Sequence, residues 1–455
     1  MKTRFSPALL ADPDIAAAER ILRACVHCGY CTATCPTYVL LGDELDSPRG
    51  RIYLIKDMLE RDQTPTAAVV KHIDRCLSCL SCMTTCPSGV DYMHLVDLAR
   101  VRIEQRYRRP LSERGLRFLL AWGLSSPTRA RFAMWLGRQV RPLVGLLPTP
   151  AASSAAPGLM RRIRALLALV PPRLQPSSSP PPGHVFSARG RLRGRVALVQ
   201  GCVAQVLAPR ITRAAISLLT RHGIEVVLVK DEQCCGALSY HMGRADDARA
   251  AARANVVAWS AEARARGLDA ILVTASGCGT VIRDYGHVLR DDGECAQDAA
   301  RVADLAKDIT EYVAALELEP VKRDDSIVIA YHSACSLQHG QKVAYVPKDL
   351  LSKCGFIVKD VPESHLCCGS AGTYNILQPE LADRLRDRKI ANIESVRPDM
   401  IAAGNIGCMV QIAGNAMQIP VVHTIELLDW ATGGLRPVSE DRVRAVDGLR
   451  AVDER

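Results

Sequence analysis

Aromatic residues are scarce in this 455-residue chain: five Phe, eleven Tyr and four Trp make up 4% of it. Its cores must be built from Ala, Val, Leu and Ile, and it lacks the ring-rich surface on which nucleic-acid bases stack. No run of about 18 apolar residues is free of charge and proline, so no membrane-spanning helix is expected. The opening stretch "MKTRFSPALLADPDIAAAER" has no apolar core leading to a small-residue cleavage site, so no secretory signal is expected either. No Gly-x-Gly-x-x-Gly follows a strand, and there is no phosphate-binding P-loop or Gly-x-Ser-x-Gly elbow. A flavin or nicotinamide site is therefore not expected on this chain, and substrate chemistry belongs to another protein.

Lysine is missing from one long segment. Residues 101–195 hold eighteen Arg, two Glu and no Lys, a net +16, whereas the whole chain carries +10. The remainder is thus acidic, at −6, and basicity is a local property. Arg-rich segments neutralise phosphates, but the prolines and interspersed leucines here argue against nucleic-acid binding. Two readings remain for "RFAMWLGRQVRPLVGLL" and "LMRRIRALLALV": a surface that lies on an anionic membrane, or a solvated basic linker with leucines turned inward. Within the segment, 142–183 is rich in Pro, Ser and Ala and buries too little apolar surface to offset chain entropy. The charged tail after about 436 is expected to be loose.

Cysteine, by contrast, is abundant, with eighteen copies. A disulfide framework suits short secreted chains rather than one of this length, which points to metal or redox chemistry in a reducing, cytoplasmic compartment. Two repeats organise the cysteines. "CVHCGYCTATCP" from Cys25 and "CLSCLSCMTTCP" from Cys76 both read Cys-x2-Cys-x2-Cys-x3-Cys-Pro. Further on, Cys202, Cys234, Cys235 and Gly236 recur 133 residues later as Cys335, Cys367, Cys368 and Gly369. Cys278 recurs as Cys408, displaced by 130. The longer repeat implies duplication of a whole domain.

The short motif is the ligand run of two-cluster ferredoxins, in which the fourth cysteine of each run serves the other cluster. It predicts one [4Fe-4S] cluster on Cys25, Cys28, Cys31 and Cys86, and a second on Cys76, Cys79, Cys82 and Cys35. Structural zinc is the competing reading, disfavoured by the Cys-Pro ending of both runs. In each long repeat, strands alternate with helices and the cysteines follow strand ends, which predicts a parallel sheet with its thiols gathered at the carboxyl edge. Cys202, Cys234, Cys235 and Cys278 form one such set, and Cys335, Cys367, Cys368 and Cys408 the other. An iron–sulfur cluster, zinc or free thiols all remain open for these. Cys295 and Cys354 lie outside the pattern and read as buried small residues. His332, His339 and His365 read as polar packing or hydrogen-bonding neighbours rather than ligands, and His27 as solvated.

The expected architecture is therefore multidomain. A mainly helical two-cluster ferredoxin-like domain (1–135) is followed by a basic connector (136–194), two duplicated α/β cysteine-rich domains with parallel sheets (195–320 and 325–435) and a tail (436–455).

The stretches "CVHCGYCTATCPTYVLLGDELDSPRGRIYLIKDMLE", "TASGCGTVIRDYG" and "DVPESHLCCGSAGTYNILQPELADRLRD" together resemble the iron–sulfur subunits of bacterial glycolate oxidases. The resemblance implies an electron-transfer role in a membrane-associated complex. Flavin-bearing (FAD) partner subunits would oxidise glycolate to glyoxylate there, and a quinone or other respiratory acceptor would receive the electrons. It also implies that the duplicated domains are CCG domains, as in heterodisulfide reductases and anaerobic glycerol-3-phosphate dehydrogenase. Fuller versions of that motif end Cys-x-x-Cys and hold non-cubane clusters. Here the endings are "CGTV" and "CMVQ", and Ser333 stands where a further cysteine is expected. Lactate-utilisation, glycerol-3-phosphate and heterodisulfide reductase-like complexes are the alternative settings, and a nucleic-acid-binding or scaffold protein with structural clusters is the alternative of another class.

Overall fold

The computed structural model describes residues 1–145, 158–171, 174, 179–322, 326–414 and 417–437. Parts of the expected connector (146–157, 172–173, 175–178) and the tail from 438 onward lie outside them. The N-terminal region is helical, as expected. Its main helices are Pro13–Ala24, Pro48–Glu60, Ala67–Asp74 and Tyr92–Arg106, and their apolar faces enclose a core of Ile15, Leu22, Ile55, Ile73, Leu95 and Ile103. Proline opens the first two helices, where its missing N–H costs nothing, and Asp12 and Ser47 cap them.

Two α/β domains follow, and their sheets share one strand order. The first contains β1 (Val185–Phe186), β2 (Gly194–Val199), β3 (Ile224–Val227), β4 (Ala270–Val273) and β5 (Ala306–Asp308), ordered β1-β3-β2-β4-β5. All its pairings are parallel except β1, which runs antiparallel along the β3 edge. The second contains β6 (Val328–His332), β7 (Ile357–Asp360), β8 (Met400–Ala403) and β9 (Val421–His423), ordered β7-β6-β8-β9 and wholly parallel. Without β1, the two orders are the same path through the sheet. The duplication also extends beyond the cysteines. β5 and β9 each lead into a helix opened by a capping box, Asp308 with Glu311 and His423 with Glu426. Those strands have three residues each, too short to betray themselves by alternation.

The two domains share one apolar core, in which Leu198, Val226 and Leu272 join Ile329, Met400 and Val422 through the helices Pro209–Arg221, Val346–Lys353 and Thr424–Ala431. Arg210 pairs with Glu426 at 2.6 Å and Arg221 with Asp429 at 2.8 Å across this seam. The carboxyl ends of the two sheets meet: Ser276 Oγ lies 2.7 Å from Ser336 Oγ, and His423 Nε2 lies 2.8 Å from Thr274 O.

The Arg-rich segment is ordered over much of its length. Leu111–Leu124, Pro127–Gly145 and Gly158–Ala168 are helices, and the expected boundary at 135/136 falls inside the second. Their inner faces pack on the second α/β domain through Leu116 and Leu120, and on the first, at Val206, through Ala130, Met134 and Val170. A Cβ on Gly137 would meet Val170 at 3.0 Å, so glycine is what lets these helices cross closely. Their outer faces leave Phe118, Leu119, Trp122, Phe132, Trp135 and Leu136 exposed. Arg129 lies over the Trp122 ring, 5.1 Å from its centroid.

The helical region docks on both α/β domains. Tyr374 Oη donates to Arg75 O at 3.2 Å, Thr84 Oγ1 lies 2.8 Å from His339 Nδ1, and His94 Nε2 lies 2.9 Å from Asp284 Oδ1. Burial works against protonation of His94, but hydrogen bonds to Asp284 and Asp91 outweigh it and push its pKa from 6.5 up to about 10. A raised folded pKa adds stability that is fully present below 6.5 and is lost as pH rises through 10. The stability gap between the native chain and His94→Gln, measured by denaturant unfolding, should therefore be on the order of 1–3 kcal/mol in mild acid and shrink across that window. A gap that stays constant over it would contradict this ion-paired contact.

Candidate iron–sulfur and thiol centre

The structure gathers the N-terminal cysteines into two neighbouring groups. Cys25, Cys28, Cys31 and Cys86 line one cavity of about 30 Å³, together with Cys82, Arg49 and Pro87. Cys35, Cys76, Cys79 and Cys82 are buried deeper. Burial raises the pKa of Cys82 first, and Cys79, Cys76 and Cys35 raise it further, so these four thiols lie close enough to repel as anions. The two groups adjoin: Cys82 also lines the smaller cavity, and Cys31 adds to the rise in its pKa. His27, on the rim of the smaller cavity, is exposed, and its Nδ1 lies 3.8 Å from Cys25 Sγ.

The stretch Glu44–Arg51 joins the two groups. A Cβ on Gly50 would fall 2.0 Å from Glu44 O, so this turn closes only around glycine. Arg49 pairs with Glu44 and reaches the cavity of the first group. Arg51 is fully buried beside the second, donating to His72 O at 2.7 Å, Thr37 Oγ1 at 3.0 Å and Asp46 Oδ1 at 3.3 Å, with Nη1 3.8 Å from Cys35 Sγ. Burial opposes its charge, but Cys76, Tyr92, Cys35 and Asp46 overcome that and hold it protonated. The site thus carries fixed positive charge against anionic sulfur, which fits eight thiolates holding two clusters.

The duplicated domains behave as expected in one respect and differently in another. Each set of four cysteines converges beyond its sheet edge, with Cys202 Sγ 3.6 Å from Cys234 Sγ and Cys335 Sγ 3.7 Å from Cys367 Sγ. Gly236 and Gly369 follow the paired cysteines with φ of +81° and +88°, and a Cβ there would meet the backbone of a long helix, Ala248 O at 3.1 Å and Ala382 O at 2.5 Å. The Cys-Cys-Gly pattern is therefore a left-handed turn pressed against a helix, where only glycine fits. Because the two sheet edges face each other, the eight cysteines line one shared cavity of about 330 Å³. No spacing in the sequence reveals that.

The copies also differ. His332, read from sequence as polar packing, is buried with Nε2 lacking any hydrogen-bond partner, and its ring nitrogen lies within 4.8 Å of Cys368 and Cys408 Sγ. The corresponding residue of the first copy, 133 positions earlier, is Val199. In the first copy, hydrogen bonds from Cys202 and then Cys235 push the pKa of Cys234 down. In the second, the lowered thiol is Cys368, through Cys367 and Cys408, with His332 adding to the effect. Lys389 is buried nearby and donates to Glu363 O at 2.8 Å; burial lowers its pKa, against the pull of Cys368 and Cys367. Cys79 of the helical region shares an apolar cluster with Cys335 and Cys367, so the second N-terminal group abuts the second duplicated set. His339 spans the same junction, with Thr84 on one side and His365 O at 3.3 Å on the other. Cys295 and Cys354 are buried and line neither cavity.

Comparison with known proteins bears on both parts of this arrangement. Residues 21–90 match the model described as "4Fe-4S dicluster domain", and residues 196–283 and 329–413 each match "Cysteine-rich domain". The chain is 41% identical to the "Glycolate oxidase iron-sulfur subunit" of Escherichia coli (strain K12), over 95% of this chain and 99% of that protein. It is 30% identical to the "Probable glycolate oxidase iron-sulfur subunit" of Bacillus subtilis (strain 168), over 91% and 95% respectively. A "Lactate utilization protein A" from Geobacillus thermodenitrificans is 27% identical but spans only 52% of this chain. A solved "hypothetical protein from Helicobacter pylori" shares the fold, with a TM-score of 0.52 at 11% identity over 95% of this chain and 74% of that one.

Replacing Arg51 by Met removes the guanidinium beside Cys35 and leaves Asp46 to Arg75, at 2.6 Å, and His72, at 2.9 Å. The variant should lose the iron of the second group preferentially, holding roughly four irons where the native chain holds roughly eight. Arg51→Lys should fall between them. Equal iron content in all three, counted after anaerobic purification, would show that Arg51 does not support that group.

Proposed function

The chain belongs to the family of glycolate oxidase iron–sulfur subunits, and from that premise we propose that it is the electron-transfer subunit of a glycolate-oxidising complex. It takes electrons from FAD-bearing partner subunits that convert glycolate to glyoxylate and passes them toward a quinone or another respiratory acceptor. The observation that carries this reading is the gathering of eight N-terminal cysteines in one place, beside a further thiol set.

We assign Cys25, Cys28, Cys31 and Cys86 to one [4Fe-4S] cluster and Cys76, Cys79, Cys82 and Cys35 to the other. When bound, each cluster takes up and gives back one electron. The chain's own residues supply the thiolates, keep water from the second group by burial, and set positive charge beside both through Arg49 and Arg51. Such charge favours the more negative reduced state and so raises the potential. Cys202, Cys234, Cys235 and Cys278, and Cys335, Cys367, Cys368 and Cys408, are assigned as ligands of a further cluster or of zinc. The buried, unpartnered nitrogen of His332 supports a metal in the second copy above all. Glycolate rather than lactate is favoured because the 41% likeness runs the length of the chain.

The complex tests this reading. Purified anaerobically with its partner subunits, it should reduce a dye with glycolate and contain roughly eight irons attributable to the N-terminal cysteines. Dye reduction with lactate but not glycolate, or zinc in place of that iron, would overturn it.

No helix among the described residues is long and apolar enough to cross a membrane. We place the chain on the cytoplasmic face of one, through the exposed Phe118, Trp122, Phe132 and Trp135 and the surrounding arginines. Changing those four residues together to Ser should lower co-sedimentation with anionic vesicles at least tenfold, and neutral vesicles should bind the native chain more weakly. Unchanged binding by the variant would remove the membrane contact.

A further inference from the structure

We propose that the cavity shared by the two cysteine-rich copies is where a lipophilic quinone is reduced, with its ring held by Ser78, Arg100 and His241. This rests on the electron-transfer reading above and names the place where that reading ends. The volume, about 330 Å³, lies within the range of small-molecule sites, about 300–1,000 Å³. The thiols of both copies line part of it. Another part, formed by Leu124, Ala130, Met134, Gly137, Leu167 and Val170, is apolar and carries no thiol, imidazole or carboxylate. A metal centre on the thiols would share the cavity with a ring seated against those apolar residues.

The remaining wall is polar and adjoins a ligand loop. Cys76, Leu77 and Ser78 line the cavity. Arg100, itself 8% exposed, donates to Ser78 Oγ at 2.6 Å, Cys76 O at 2.7 Å and Asp97 Oδ1 at 3.3 Å. Asp97 is buried, its Oδ2 has no partner, and its Oδ1 lies 3.5 Å from His241 Nδ1. Arg100 and Ser78 are donors suited to a quinone carbonyl. The side chain of His241 is 32% exposed and so links the cavity to solvent protons. Asn375, also on the wall and 8% exposed, has an unpartnered Oδ1, which a hydroquinone O–H would satisfy and a quinone would not.

The reaction balances as two electrons, arriving singly from the glycolate-fed relay, and two protons, passed in from solvent through His241. Both C=O groups of the ring become C–OH. The helices that form the apolar wall turn Phe132, Trp135 and Leu136 outward, so the surface proposed to touch lipid backs onto the cavity.

The test uses the whole complex with glycolate as donor and compares a decyl-tailed quinone with ferricyanide. His241→Gln should slow quinone reduction at least tenfold more than ferricyanide reduction, mainly in kcat. Met134→Trp, which fills the apolar wall, should raise the KM for quinone at least fivefold. An azido-quinone should label peptides within 130–137 or 370–377. If the native complex reduces ferricyanide but not quinone, or if both variants keep the native quinone-to-ferricyanide ratio and the label maps elsewhere, the cavity is not the site. Failure of glycolate to reduce ferricyanide would instead strike the electron-transfer reading beneath it.

Discussion

Thiolates repel, and this molecule gathers sixteen cysteines around one junction. Buried positive charge is what allows it. Arg51 is the centre of that arrangement: fully enclosed, tied to Asp46, Thr37 and the His72 carbonyl, and within reach of Cys35 Sγ. Arg49 does the same for the first group from a more exposed position, and Lys389 lies close to the second duplicated set. An isolated buried cation would be costly, but each of these faces sulfur or carboxylate, so the desolvation of each sign is offset by the other. The turn Glu44–Arg51 can be so short because Gly50 admits the Glu44 carbonyl where a side chain would stand.

The duplication supplies two copies of one sheet and then uses them unequally. Their carboxyl edges face each other, so two cysteine sets become two walls of a single cavity. The second copy has His332 where the first has Val199, and a buried Lys389 on the helix that backs its cysteine pair. Among the described residues, the second copy is the one that shares an apolar cluster with an N-terminal cysteine, Cys79. A symmetric ancestor has thus become directional, with one copy joined to the relay and the other facing it across the cavity.

Much of this was legible because cysteine spacing is chemistry written locally. That both runs come together follows from their shared spacing, and the parallel sheets follow from strands that end before cysteines. The significance of Gly236 and Gly369 was only half visible. Their left-handed turn is a property of the residue, but the pressure from Ala248 and Ala382 comes from a helix several turns away in sequence. That His332 stands beside Cys408 was not legible, because its neighbours in sequence say nothing of a residue 76 positions on. The Arg-rich segment was less legible: its composition left open a membrane-lying surface or a linker with leucines turned inward, and small residues at 130 and 137 let its helices pack closely and form a cavity wall. β5 and β9 were missed because three residues carry no period.

The central claim is that crossed cysteine groups near the amino terminus carry electrons from glycolate to a cavity between the duplicated domains. Rapid-freeze electron paramagnetic resonance of the intact complex, sampled within one turnover of glycolate addition, tests it most directly. Signals of two interacting reduced [4Fe-4S] clusters should rise and then decay once quinone is supplied. If glycolate bleaches the flavin while no such signal forms, the electrons travel elsewhere and this account of the chain is wrong.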